Sequence, residues 1–289
     1  MGERAGDGGI HGIHATPISE NHGKCTVEVR MEPNSDLPGE ICGPGLKFIN
    51  NRIEDLAMEV SYDPIENTGK IIFNLSLIPN ENLEEAISLF RNAYRAGLSV
   101  SDKVRFFGSG ARLEGLTIPD GFAGICTMCT ITLDGILLRR GVPIQPVGGG
   151  LVEIVDRVPR RFTHMILYRS TTIDPLEVLV AQDLTSILRV MKEGSGTILA
   201  NLRECHMEAE SLVIGLLDDF SSVGFTGILE VGAPNLPILG VPANPQYFGV
   251  AMVGGTNPMA ALKEQGIRVV TKALKGVMDV AEMGSIRDY

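Results

Sequence analysis

Gly69-Lys-Ile-Ile-Phe-Asn-Leu75 recurs as Gly196-Thr-Ile-Leu-Ala-Asn-Leu202, 127 residues further along the chain. In both, glycine opens an apolar run and asparagine stands sixth. The likeness extends outward from these runs. Each is followed by a helical segment that ends at glycine, Gly97 in one copy and Gly224 in the other, again 127 apart. Phe122-Ala-Gly-Ile125 matches Tyr247-Phe-Gly-Val250. Gly124 and Gly249 lie 125 apart, as do Gly141 and Gly266. Gly150-Leu-Val-Glu153 then matches Gly276-Val-Met-Asp279 at an offset of 126. A period this long marks a duplicated subdomain rather than a solenoid.

Each copy follows one pattern. An apolar strand (Ile71 to Leu77, or Thr197 to Leu202) leads into an amphipathic helix. In the first copy Leu83, Ile87, Phe90 and Tyr94 mark its apolar face, and in the second Leu212, Leu216, Leu217 and Phe220. Gly97 and Gly224 stand where a left-handed C-cap belongs. Two strands follow, Val104–Phe107 and Gly121–Ile131, matched by Gly227–Val231 and Phe248–Gly254. A shorter helix comes next, near Leu133–Arg140 or opened by Asn257-Pro258. A last strand lies near Leu151–Val155 or Val277–Val280. The order β-α-β-β-α-β is the split ferredoxin-like unit. The expected fold class is α/β (α+β): two duplicated ferredoxin-like units, about 69–155 and 196–281. Such a sheet carries helices on one face, so the halves are expected to pack together around a ligand cleft.

Between the copies, 157–194 should hold a strand at Phe162–Tyr168 and one helix from Asp174-Pro175 to Gly194. Before them, residues 1–45 read as a flexible segment with one strand, Cys25 to Met31. A helix over Leu46–Met58 then opens a regulatory domain running from 46 to 289.

The 289 residues carry a net charge of −10, which argues against a chain that grips DNA by itself. Five cysteines at irregular spacing do not make a disulfide framework. No signal sequence or membrane-spanning run is evident, so a cytoplasmic setting is expected. Cys126-Thr-Met-Cys129 is a lone C-x-x-C without a second ligand pair, and reads as buried or ligand-facing thiols. His11, His14, His22 and Cys25 read as a solvated tail rather than a metal site. No nucleophile elbow, zinc-protease or phosphate-loop motif appears, so neither an enzyme nor a cofactor is expected. Gly148-Gly149-Gly150 and Gly254-Gly255 read as turns able to offer N–H groups to an anion. Six arginines between Arg139 and Arg169 face only Glu153 and Asp156. That stretch suits carboxylate recognition or protein docking.

Several strings together resemble the regulatory domain of the NrpR family, the nitrogen-response repressors of methanogenic archaea. They are Gly124-Ile-Cys-Thr-Met-Cys-Thr-Ile-Thr-Leu-Asp-Gly-Ile-Leu-Leu138, Gly141-Val-Pro-Ile-Gln-Pro146, Gly149-Gly-Leu-Val-Glu153, Asp174-Pro-Leu-Glu177, Gly194-Ser-Gly-Thr-Ile-Leu-Ala-Asn-Leu-Arg-Glu204, Leu239-Gly-Val-Pro242 and Gly254-Gly-Thr-Asn-Pro-Met-Ala-Ala-Leu262. The resemblance implies control of nitrogen-fixation and nitrogen-assimilation genes, with 2-oxoglutarate as effector. Many members carry an N-terminal winged helix, and Met1–Gly45 is too short and glycine-rich to match one. The resemblance therefore implies a regulatory domain without specific DNA binding of its own. Such a domain would be a homodimer acting with a winged-helix relative and general transcription factors. It also suggests cleft residues: Cys129 and Thr130 match the family's Cys-Ser/Thr position, and Gly149, Gly150, Gly254, Gly255 and Asn257 its glycine-rich turns. Arg169, ending a strand just before the Thr171-Thr172-Ile173-Asp174 turn, is the expected carboxylate partner, with Thr171 beside it. An enzyme acting on a small anion and a scaffold that binds no metabolite are the competing readings.

Overall fold

The computed structural model of the chain describes residues 47–113 and 115–289. The expected strand at Cys25–Met31, the histidine cluster and the segment 1–45 lie outside these residues. After α1 (Ile49–Glu59), the first copy runs β1 (Lys70–Pro79), α2 (Leu83–Arg95) and β2 (Lys103–Phe107). A small hairpin, β3 (Arg112–Leu113) and β4 (Leu116–Thr117), leads to β5 (Phe122–Met128), α3 (Thr132–Arg139) and β6 (Ile144–Val155). The linker supplies β7 (Val158–Leu167), α4 (Pro175–Ala181) and α5 (Ile187–Glu193). The second copy runs β8 (Gly196–His206), α6 (Glu210–Ser222), β9 (Ile228–Val231), β10 (Tyr247–Val253), α7 (Asn257–Glu264) and β11 (Val270–Asp279), and β12 (Gly284–Ser285) follows.

The duplicated glycines do the same work in both copies. Gly97 and Gly224 follow α2 and α6 at φ 72° and 89°, and Gly141 and Gly266 follow α3 and α7 at 80° and 84°. Gly124 and Gly249 serve close approach instead. A Cβ on Gly124 would lie 2.7 Å from Cδ1 of Ile118, and one on Gly249 2.5 Å from Cγ2 of Ile238. In each copy an isoleucine from the loop between the second and third strands lies against the third strand, and only glycine leaves room for it.

Two five-stranded antiparallel sheets result, in the orders β11-β1-β5-β2-β12 and β7-β6-β8-β10-β9. A ferredoxin-like sheet places its fourth strand beside its first. Here that strand is exchanged. The strand after α3, β6, lies beside β8 in the second sheet, and the strand after α7, β11, lies beside β1 in the first. Neither sheet is complete without the other copy. The helices α3 and α7 are buried almost all round: Leu133, Leu137, Ala261 and Leu262 are wholly inaccessible. Burying a leucine of this kind stabilises by roughly 1.5–3 kcal/mol.

Two expectations need correction. The helix expected over 174–194 is two helices. Asp183 takes a left-handed φ of 54° and breaks the run. The break is held from α7: Lys263 donates to the carbonyls of Val180 and Ala181 at the end of α4, and the Glu264 carboxylate accepts from the backbone of Ile187 and Leu188 at the start of α5. Each charge suits the helix end that it meets. Secondly, Gly148–Gly150 form no turn but lie within β6, paired with β7. Carbonyl oxygens of Ile166 and His164 would lie 2.6 and 2.2 Å from a Cβ on Gly148 and Gly150, so the strands meet too closely there for side chains. No described helix is long and apolar enough to cross a membrane.

Candidate functional site

The ends of β5 and β10 meet at the seam between the copies. The backbone N–H of Cys129 donates to Ile72 O, and that of Gly254 to Leu199 O, at matching places in the two copies. The next helix then clamps the same strand residue. Thr132 Oγ1 accepts from Ile72 N–H at 3.0 Å, and Asn257 Oδ1 accepts from Leu199 N–H at 2.8 Å while its Nδ2 donates to Leu199 O at 3.0 Å. Thr127 and Thr130 donate across the seam to the carbonyls of Gly255 and Val253. Gly255 fits because a Cβ would lie 2.9 Å from Met128 O.

One buried ion pair joins the copies. Arg203 on β8 and Asp134 on α3 are each 1% exposed, with Nε and Oδ1 2.6 Å apart. The contact lacks the alignment of a hydrogen bond, and Arg203 Nη1 and Asp134 Oδ2 have no hydrogen-bond partner among the described residues. Burial outweighs the guanidinium and pushes the Asp134 carboxyl up to about 6. Tyr168, 2% exposed, stands close enough for both charges and Cys129 to act on its hydroxyl. Asn201 Oδ1 and Thr256 Oγ1 are also buried without a hydrogen-bond partner among the described residues. Unpaired buried polar atoms are costly, so such a concentration needs an explanation.

Two adjoining cavities run along α1. The outer, about 500 Å³, has Asn50, Gln145, Arg169, Glu204 and Asn244 among its walls. The inner one, so called because buried Asp134 is among its walls, is about 260 Å³ and also meets Ile53, Ala57, Leu138 and the exposed Met58. They share Glu54, Ile144 and Pro146. Glu204 is fixed in place, accepting from Asn244 N–H at 2.9 Å and from its Nδ2 at 2.6 Å. Arg169 is exposed and has no ion pair among the described residues.

The sequence-picked residues therefore fall into three groups. Cys129, Thr130, Gly149, Gly254, Gly255 and Asn257 are all buried at the seam, where Gly149 and Gly254 both abut Leu176. Gly150 presses on the far strand instead. Arg169 and Thr171 lie in the turn after β7, with Arg169 at the outer cavity; the Thr171 hydroxyl is engaged with the backbone of Ile173. Arg203, Asp134, Glu204 and Glu54 were not picked. The sequence signal for Arg203 is slight, because it stands after the apolar run Ile198–Leu202 and directly before Glu204. Burial pushes the thiols of Cys126 and Cys129 up to about 12, and no group of three potential metal ligands assembles among the described residues.

Comparison with known proteins agrees with this architecture. A nitrogen repressor-like protein from Methanococcus jannaschii has a crystal structure that matches with a TM-score of 0.71 at 30% identity, covering 84% of this chain and all of that one. The global nitrogen regulator NrpRI of Methanosarcina mazei is 32% identical over 99% of this chain and 88% of its own length. The global nitrogen regulator NrpR of Methanococcus maripaludis is 31% identical over 78% of this chain, which spans 38% of that longer relative. The family described as NrpR regulatory domains NRD1 and 2 matches residues 46–285. The chain therefore belongs to the NrpR regulatory-domain family of nitrogen regulators, a regulatory family and not an enzymatic one.

Proposed function

We propose that the chain is a cytoplasmic co-regulator that senses 2-oxoglutarate and controls nitrogen-assimilation and nitrogen-fixation genes. It would act as a homodimer through DNA-binding or general transcription factor partners. Family membership supports the nitrogen response. The observation that carries the ligand reading is Arg169, a guanidinium at the outer cavity along α1 with no ion pair among the described residues. A dicarboxylate leaving water needs a charge-assisted partner, and a guanidinium supplies one with matching geometry.

The test is calorimetry with 2-oxoglutarate, glutamate and citrate. Wild type should bind 2-oxoglutarate saturably without turnover. Arg169 is exposed, so its loss should cost about 1–2 kcal/mol rather than the larger penalty of a buried charge, or roughly tenfold in affinity. Arg160→Ala, also exposed but outside the cleft walls, should leave binding unchanged. Equal affinities in both variants would remove Arg169 from the site. Turnover would favour an enzyme, and silence across the metabolites a scaffold.

A further inference from the structure

We propose that Arg203, buried behind Asp134 beyond the inner end of the cleft, is a carboxylate receptor, and that Asp134 occupies it while no ligand is bound. This rests on reading the cleft as a dicarboxylate site. The argument comes from where the two copies differ. β1 and β8 are offset by 127, so Ser76 is the counterpart of Arg203. Pairing confirms it: Ser76 stands opposite Ile125 and Thr271, and Arg203 opposite Val250 and Pro146, each pair of neighbours 125 apart. α3 and α7 begin at Thr132 and Asn257, an offset of 125, so Met259 is the counterpart of Asp134.

The same place in the fold is thus filled in two ways. One copy has Ser76 hydrogen-bonded to Thr271 at 2.9 Å, with Met259 buried on α7. The other has a guanidinium and a carboxylate, both buried and both incompletely bonded. The fold does not require the charges, because the first copy does without them. Burying two ions costs several kcal/mol each and is offset only when their bonding capacity is filled. A half-satisfied network is worse than an apolar core. The missing partner is a carboxylate, whose two oxygens suit the guanidinium fork.

Access follows from the cavities. Asp134 lines the inner one, which joins the outer cavity of Arg169 through Glu54, Ile144 and Pro146. Arg169 lines the outer cavity, whereas Arg203 lines neither and stands behind Asp134, so a carboxylate entering the inner cavity meets it only by taking the place of Asp134. That arrangement fits a short dianion with a carboxylate at each end. On entry, the inner carboxylate replaces Asp134 on Arg203, and the raised proton affinity of Asp134 eases its release.

Calorimetry with 2-oxoglutarate on the full chain tests this with two variants. The double variant Asp134→Met with Arg203→Ser rebuilds the other copy's solution. It should bind at least tenfold more weakly while unfolding at the same temperature or higher. Asp134→Asn removes the competitor's charge and should bind several-fold more tightly, a gain that a purely structural pair does not produce. This second variant decides the matter if the first does not fold. Wild-type affinity in the double variant, or weaker binding by Asp134→Asn, overturns the role of Arg203. Absence of binding by wild type overturns the dicarboxylate reading and this role with it.

Discussion

Asp134 and Asp174 carry carboxyls into the core, and burial raises both to about 6. At Asp174, which caps α4 through the N–H of Leu176 at 2.8 Å, the nearby Glu177 adds to the rise. An ordinary aspartate titrates near 3.8. Between about pH 4 and 6 the folded chain therefore holds protons that the unfolded chain has released. Stability from these groups is greatest below that window and falls as pH rises through it. The midpoint of urea unfolding should drop between pH 5 and pH 7, and the drop should shrink in Asp134→Asn. A midpoint that climbs over this range would contradict the buried-acid assignment. At this scale the sequence was only partly legible. Cys129, Thr130 and Gly254 are picked out by the distinctive strings around them, and the structure places them together at the seam. Arg203 is not legible in the same way, because its meaning depends on contrast with Ser76, one residue beyond the repeat that ends at Leu75 and Leu202.

Close approach between elements rests on a few positions without side chains. Gly135 on α3 faces the end of α1, where a Cβ would lie 2.4 Å from Val60 Cβ and 2.6 Å from Ala57 O. Backbone cannot yield there cheaply, so Gly135→Ala should destabilise by about 1–3 kcal/mol. Gly215 on α6 has nothing among the described residues within 4 Å of a would-be Cβ. Glycine inside an exposed helix face is itself a cost, so Gly215→Ala should stabilise by about 0.5–1 kcal/mol. Denaturant melts of the two variants should move in opposite directions; a shared direction would show that the helices pack otherwise. Element existence was legible wherever a local rule sufficed, as with the glycines that end α2, α3, α6 and α7. It failed where the cause was remote. The break between α4 and α5 depends on Lys263 and Glu264, some 80 residues later. The glycines of β6 read as a turn because the pairing of β6 with β7, unlike the strand at Phe162–Tyr168 itself, leaves no local mark.

Exchange of β6 and β11 makes the two copies interdependent. The sequence could not disclose it, since both strands carry a similar pattern and run beside their partners in matching register. Its consequence is measurable. Each sheet loses its fourth strand if the other copy unfolds, so residues 47–289 should melt as one unit. Calorimetry should give a van't Hoff enthalpy equal to the measured enthalpy, whereas two resolved transitions would mean that the copies fold separately. The same wholeness bears on what the molecule can grip. Phosphate contacts supply most non-specific affinity for DNA, and they need basic surface. This chain is at −10, and two cations of its arginine-rich stretch, Arg140 and Arg161, are already paired with Asp63 and Glu153. The purified chain should therefore shift operator DNA only weakly and without sequence preference at physiological salt. Adding a winged-helix member of the same family should produce a slower, sequence-specific complex that contains this chain. Tight, specific binding by the chain alone would contradict the charge argument. A partner complex from which this chain is absent would contradict its role as a co-regulator.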